Sequence, residues 1–133
     1  MKRILVAYDG GEPAKRALTA AADLAQGIGA QVNVISVVPR RAGRFPVDPW
    51  DTAAEHDSEL LEARDYLVGR GLKPELIESS GDPAHEIERV TSDGDYDIVV
   101  VGARHLSGID RILSGSVSEH VAAHASATVV VAR

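Results

Sequence analysis

The chain has 133 residues, of which 44% are hydrophobic, 26% charged and only 4% aromatic. This fits a single domain over residues 1–133 with a core built from Val, Ile, Leu and Ala. A net charge of −6 opposes nucleic acid as a partner, because phosphate backbones select basic surfaces, while leaving room for one phosphorylated small molecule. The chain has no cysteine, which excludes disulfides, thiolate metal sites and thiol catalysis. No stretch approaches the roughly 20 apolar residues of a membrane span, and the opening "MKRILVAYDGG" is too short in apolar residues for a signal-peptide core. The expectation is a cytoplasmic protein with no membrane partner.

Two periodicities alternate along the chain. "RILVAY" (3–8) is a short apolar run, the pattern of a strand buried on both faces. Ala14, Ala17, Leu18, Ala21, Ala25 and Ile28 follow at helical spacing, with Pro13 suited to the first turn and Gly29 to the stop. "QVNVISVV" (31–38) reads as the second strand, and "PRRAGRFPVDPWD" (39–51), with three prolines and no periodicity, as a long irregular loop. Helical sequence returns over 52–70. "KPELIESS" (73–80) reads as an edge strand because Pro74 lacks an N–H for the ladder. Asp82 and Pro83 form an N-cap and first position for a helix ending near Gly94. "YDIVVVGA" (96–103) is the most strand-like run and belongs at the centre of the sheet. Ser116 to Glu119 has capping-box spacing, so a helix is expected from Ser116. "ATVVVAR" (127–133) closes the chain as a strand. The order βαβαβαβαβ implies a parallel sheet with helices on both faces, and a ligand site beyond the C-terminal ends of the strands.

The strand ends there are Asp9-Gly10-Gly11 after the first strand, Val37-Val38-Pro39 after the second and Gly102 onward after the fourth. Asp9 is followed by Gly10 and Gly11, where a carboxylate can hold a ribose hydroxyl or a metal, or hydrogen-bond its own turn. Gly102 ends the fourth strand, where a missing Cβ lets a ligand approach the backbone. Gly115 and Ser116 open a helix whose N–H groups and dipole favour an anion, or else serve as turn and cap. A response-regulator reading fails: one carboxylate stands at the first turn, residues 79–81 are Ser-Ser-Gly, and the last strand ends on Arg133. His120 and His124 share a helix face, but Glu119 is the one further candidate zinc ligand nearby, and they are read as surface histidines. "PRRAGR" (39–44), Phe45 and Trp50 are read as parts of a loop over the site. No nucleophile–base pair or G-x-S-x-G elbow appears.

"AYDGGEPAKRAL", "GDPAHEI" and "DIVVVGARHLSGIDRILSGSVSEHV" together resemble the universal stress protein family over essentially the whole chain. The last segment is similar to the glycine motif of its ATP-binding members, with Gly102, His105, Gly115 and Ser116 at the motif positions. The resemblance implies a doubly wound, Rossmann-like α/β fold of the adenine nucleotide alpha hydrolase type, with strand order 3-2-1-4-5. It also implies a nucleotide site formed by Ala7, Asp9, Val37, Val38, Gly102, Arg104, His105, Gly115, Ser116 and Val117. Asp9 would lie near ribose and phosphates, the backbone at Val38 or Val37 near adenine, and Gly102, Gly115, Ser116 and Val117 near the phosphates. Arg104 and Arg111 flank the loop, where they would suit polyphosphate or else stand as solvated surface arginines.

Two positions depart from the family. Gly11 replaces the usual serine of Asp-Gly-Ser, a small change because glycine also serves as an N-cap. His105 replaces a glycine. It can adopt positive φ at modest cost, block the phosphates, or donate to them when protonated. The implied cofactor is ATP, with AMP or another adenine nucleotide as alternatives, carrying Mg2+ or Mn2+ on its phosphates. The implied assembly is a homodimer through strand 127–132, which otherwise exposes an apolar edge. Its expected role is a nucleotide-responsive stress protein whose 39–51 and 103–114 loops are ordered by ATP and read by protein partners that the sequence leaves unidentified. Two rivals are a nucleotide-free dimeric interaction protein closed by His105, and a slow ATPase.

Overall fold

The computed structural model describes residues 2–39, 49–103 and 127–132, with the backbone alone at 39 and 49–56. Its elements are β1 (Arg3–Ala7), α1 (Glu12–Ile28), β2 (Gln31–Pro39), α2 (Pro49–Gly69), β3 (Leu76–Gly81), α3 (Pro83–Asp93), β4 (Ile98–Gly102) and β5 (Thr128–Ala132). The strands form one parallel sheet in the order β3-β2-β1-β4-β5, as the resemblance implied.

Alternation along β1 divides the core into two layers. Ile4, Val6 and Tyr8 face α1 and α2, where Ala14, Ala17, Leu18, Ala21, Leu60, Ala63 and Leu67 are buried. Leu5 and Ala7 face the other way, with Ile35, Val90, Tyr96, Val99 and Val101. Alanines dominate the inner face of α1, so the helix lies close against β1 and β4. Gly11 caps α1 without a side-chain hydrogen bond, and Gly29 closes it at φ 71°, in the left-handed region where glycine has no steric penalty. Asp82 caps α3 by accepting from the His85 N–H at 3.1 Å, as its sequence signature indicates.

The starts of two elements differ most from the sequence reading. Helix α2 begins at Pro49, inside the stretch expected to be loop. Proline breaks helices only in their interior; at the first turn its fixed φ and missing N–H are compatible with the helix. Strand β3 begins at Leu76, two residues after Pro74. The Asn33 side chain substitutes for ladder pairing there: fully buried, it accepts from the Glu75 N–H at 3.0 Å and donates to the Tyr96 hydroxyl at 2.7 Å. Arg3 lies over the Tyr96 ring at 4.6 Å and donates to the Gly94 carbonyl at 2.7 Å. This polar cluster closes the end of the sheet where β1, β2 and β4 begin, leaving their opposite ends for the candidate site. The expected helix from Ser116, with the rest of 104–126, lies outside the described residues.

Candidate functional site

Beyond Ala7 the first strand leaves the sheet. The Tyr8 N–H still donates to the Ile35 carbonyl at 3.0 Å, and the chain then turns through Asp9, Gly10 and Gly11 into α1. Asp9 Oδ1 accepts from the Gly11 N–H at 2.9 Å, so this carboxylate does hydrogen-bond its own turn, one of the two roles open from sequence. A carboxylate has about four acceptor positions, so the turn bond and a ligand hydroxyl are compatible. Gly10 has φ 80°, and a Cβ there would lie 3.1 Å from Glu59 Cγ.

Gly102 has a specific steric reason to be glycine. A Cβ on it would lie 2.5 Å from the Pro13 carbonyl carbon, 2.6 Å from the Pro13 oxygen and 2.9 Å from the Ala14 nitrogen. The missing Cβ admits the first turn of α1. The end of β4, the N-terminus of α1 and the Asp9 turn are thereby held together. The positive end of the α1 dipole faces this junction.

β2 supplies the third wall. The last β1–β2 pair is Ala7 with Ile35, whereas β2 continues beside β3 to the pair Pro39 with Gly81. Because Ile35 turns its carbonyl toward β1, alternation turns the backbone groups of Val37 to the same side, beyond the point where β1 has ended. Val37, rather than Val38, therefore offers backbone donors and acceptors to the crevice. Ala7, Asp9, Val37, Val38 and Gly102 are thus gathered at one end of the sheet. Arg104, His105, Gly115, Ser116 and Val117 lie outside the described residues, as do His120, His124, Phe45 and the basic run 40–44.

Several side chains at this end had no sequence signal. Tyr8 donates through its hydroxyl to Glu62 Oε1 at 2.5 Å. Burial, then the Glu62 hydrogen bond and the charges of Glu62, Glu59 and Asp9, push this phenol far above its ordinary range. Beside β3, Ser79 Oγ donates to Glu86 Oε1 at 2.6 Å and Arg89 Nε to Glu86 Oε2 at 3.1 Å. Arg89 first, then Ser79, hold the Glu86 carboxyl below the usual carboxylate range. Glu78 has the opposite shift: its hydrogen bond with Asp57, then burial, raises it. Among the described residues no group of three His, Cys, Asp or Glu is arranged to hold a metal, and no helix is long and apolar enough to cross a membrane.

This geometry can be compared with known proteins. The profile of the universal stress protein family matches residues 1–133. The universal stress protein YxiE of Bacillus subtilis is 28% identical over 98% of this chain and 98% of its own. The universal stress protein from Archaeoglobus fulgidus in complex with dAMP superposes with a TM-score of 0.73 at 23% identity, over 100% of this chain and 98% of the other. A universal stress protein in complex with cAMP gives a TM-score of 0.72 at 23% identity, over 99% and 97%. The chain belongs to the universal stress protein family.

Proposed function

We propose that this universal stress protein binds an adenine nucleotide in the crevice where β1, β2 and β4 end, and acts as a regulatory, stress-responsive homodimer in the cytoplasm. The observation that carries this reading is the junction at Gly102, which sets the α1 N-terminus beside the Asp9 turn and opposite the free-running end of β2. In this arrangement the Asp9 carboxylate accepts from a ribose hydroxyl, Val37 offers backbone groups to the adenine edge, and the α1 dipole favours phosphate. The complexes of related proteins with dAMP and cAMP support adenine as the base. For ATP, the divalent ion rides on the phosphates. The homodimer reading rests on β5, an edge strand of half-buried Val129, Val130 and Val131 with one open side.

A second reading, a dimeric interaction protein without nucleotide, draws on the engagement of Asp9 with its own turn and on the histidine at position 105. Titration with AMP, cAMP and ATP, the last with and without Mg2+, separates the two readings. Saturable binding of any of them, weakened by Asp9→Asn, supports the first; no binding by any supports the second.

A further inference from the structure

We propose that Glu62, acting through the Tyr8 phenol, is a positioning residue that fixes the Asp9–Gly10–Gly11 turn for nucleotide binding; this rests on the adenine-nucleotide reading above. Tyr8 is 3% exposed and is the last residue of the first strand segment to bond the sheet, through its N–H to Ile35. Its side chain leaves the sheet in the other direction and reaches an α2 residue 54 positions away in sequence. The residue immediately before Asp9 is therefore anchored twice, by backbone to β2 and by side chain to α2. One residue beyond Asp9, α2 makes contact again: Glu59 packs under Gly10, close enough that any side chain there would press on it. Glu59 and Glu62 are one helical turn apart, so they form one strip on α2. The turn that carries Asp9 is held between β2 and this strip.

The bond has a fixed polarity. Burial and the neighbouring carboxylates keep the phenol protonated, so Tyr8 donates and Glu62 accepts. A carboxylate acceptor shortens and strengthens such a bond relative to a neutral one. Glu62 is itself an exposed residue and among the described residues is in no ion pair. Its inward bond to Tyr8 makes the α2 surface a determinant of how the Asp9–Gly10–Gly11 turn is held.

A purely packing role would stabilise α2 without changing ligand affinity, so affinity and local opening are the diagnostic readouts. AMP is titrated calorimetrically into wild type, Tyr8→Phe, Glu62→Ala, Glu62→Gln and the Tyr8→Phe/Glu62→Ala double variant, well below their unfolding midpoints. Tyr8→Phe and Glu62→Ala are each expected to weaken AMP binding by about tenfold, since small misplacements of a binding group are costly. The double variant should be no weaker than either single one. Glu62→Gln retains an oxygen acceptor and should stay within about threefold of wild type. Unchanged AMP affinity in Tyr8→Phe and Glu62→Ala overturns the proposal, even if both melt earlier. Amide hydrogen exchange without ligand provides the second measurement. Tyr8→Phe should speed exchange at Gly11 and Glu12 by about tenfold while leaving Leu5 and Val6 unchanged. If wild type binds none of AMP, cAMP and ATP, the nucleotide reading falls, and exchange still decides: uniform or absent change rejects the clamp, and change confined to the turn supports it.

Discussion

Adding one methyl group at Gly102 tests how the site is assembled. The new Cβ of Gly102→Ala would lie 2.5 Å from the Pro13 carbonyl carbon and 2.6 Å from its oxygen, whereas non-bonded carbons settle at about 3.5–4.0 Å. Both neighbours are backbone, so no side-chain rotation relieves the clash; the first turn of α1 or the end of β4 must move by about 1 Å. Overpacking of this kind costs about 1–3 kcal/mol, a substantial part of the roughly 5–15 kcal/mol that holds a domain together. For a chain of 133 residues the middle of that range lowers the unfolding midpoint by about 5–10 °C. Gly27→Ala is the matched control, because Gly27 lies inside α1 and a methyl group there would have nothing within 4 Å; alanine at that position should stabilise by about 0.5–1 kcal/mol. Differential scanning calorimetry of both variants should give shifts of opposite sign, and AMP binding should weaken only in Gly102→Ala. Equal midpoints for Gly102→Ala and wild type would refute the claim that this glycine exists for the helix–strand approach.

Other expectations concern the rest of the frame. Tyr96→Phe leaves the Nδ2 of fully buried Asn33 without its 2.7 Å partner and should cost about 1–3 kcal/mol in urea denaturation. Glu86 has a folded pKa below its unfolded value, so its stabilisation is complete above about pH 4.3 and is lost as pH falls through the lowered value. The stability gap between wild type and Glu86→Gln should therefore narrow on acidification from about pH 6 to about pH 3. Glu78 is raised, so its cost to the fold grows as pH rises from about 4.3 through the raised value, and Glu78→Gln should gain on wild type over that interval. Sedimentation should give about twice the 14.1 kDa chain mass; a monomer at high micromolar concentration would contradict the β5 dimer.

The sheet is legible in the sequence because its signals are local. Apolar runs at β1, β2 and β4, the Pro13–Gly29 bracket of α1 and the Asp82–Pro83 cap each state an element within a few residues. The start of α2 is not, because three prolines between 39 and 51 count as breakers until one is seen to begin a helix. Asp9 and Gly102 are identifiable as candidate positions at strand ends, but the steric reason for Gly102 is not, since it depends on the backbone of Pro13 nearly ninety positions away in sequence. Tyr8, Glu59 and Glu62 escape sequence reasoning for the same cause. Their relation is a contact between β1 and α2 that no periodicity or motif encodes, and a tyrosine ending an apolar run reads simply as core.

The central claim is that adenine nucleotide binds at the ends of β1, β2 and β4. The most direct test is calorimetric titration of Mg-ATP and of AMP into wild type, Asp9→Asn and His105→Gly. Saturable one-to-one binding to wild type is expected, lost or strongly weakened in Asp9→Asn. Absence of binding to folded wild type, whether or not His105→Gly binds, would contradict it.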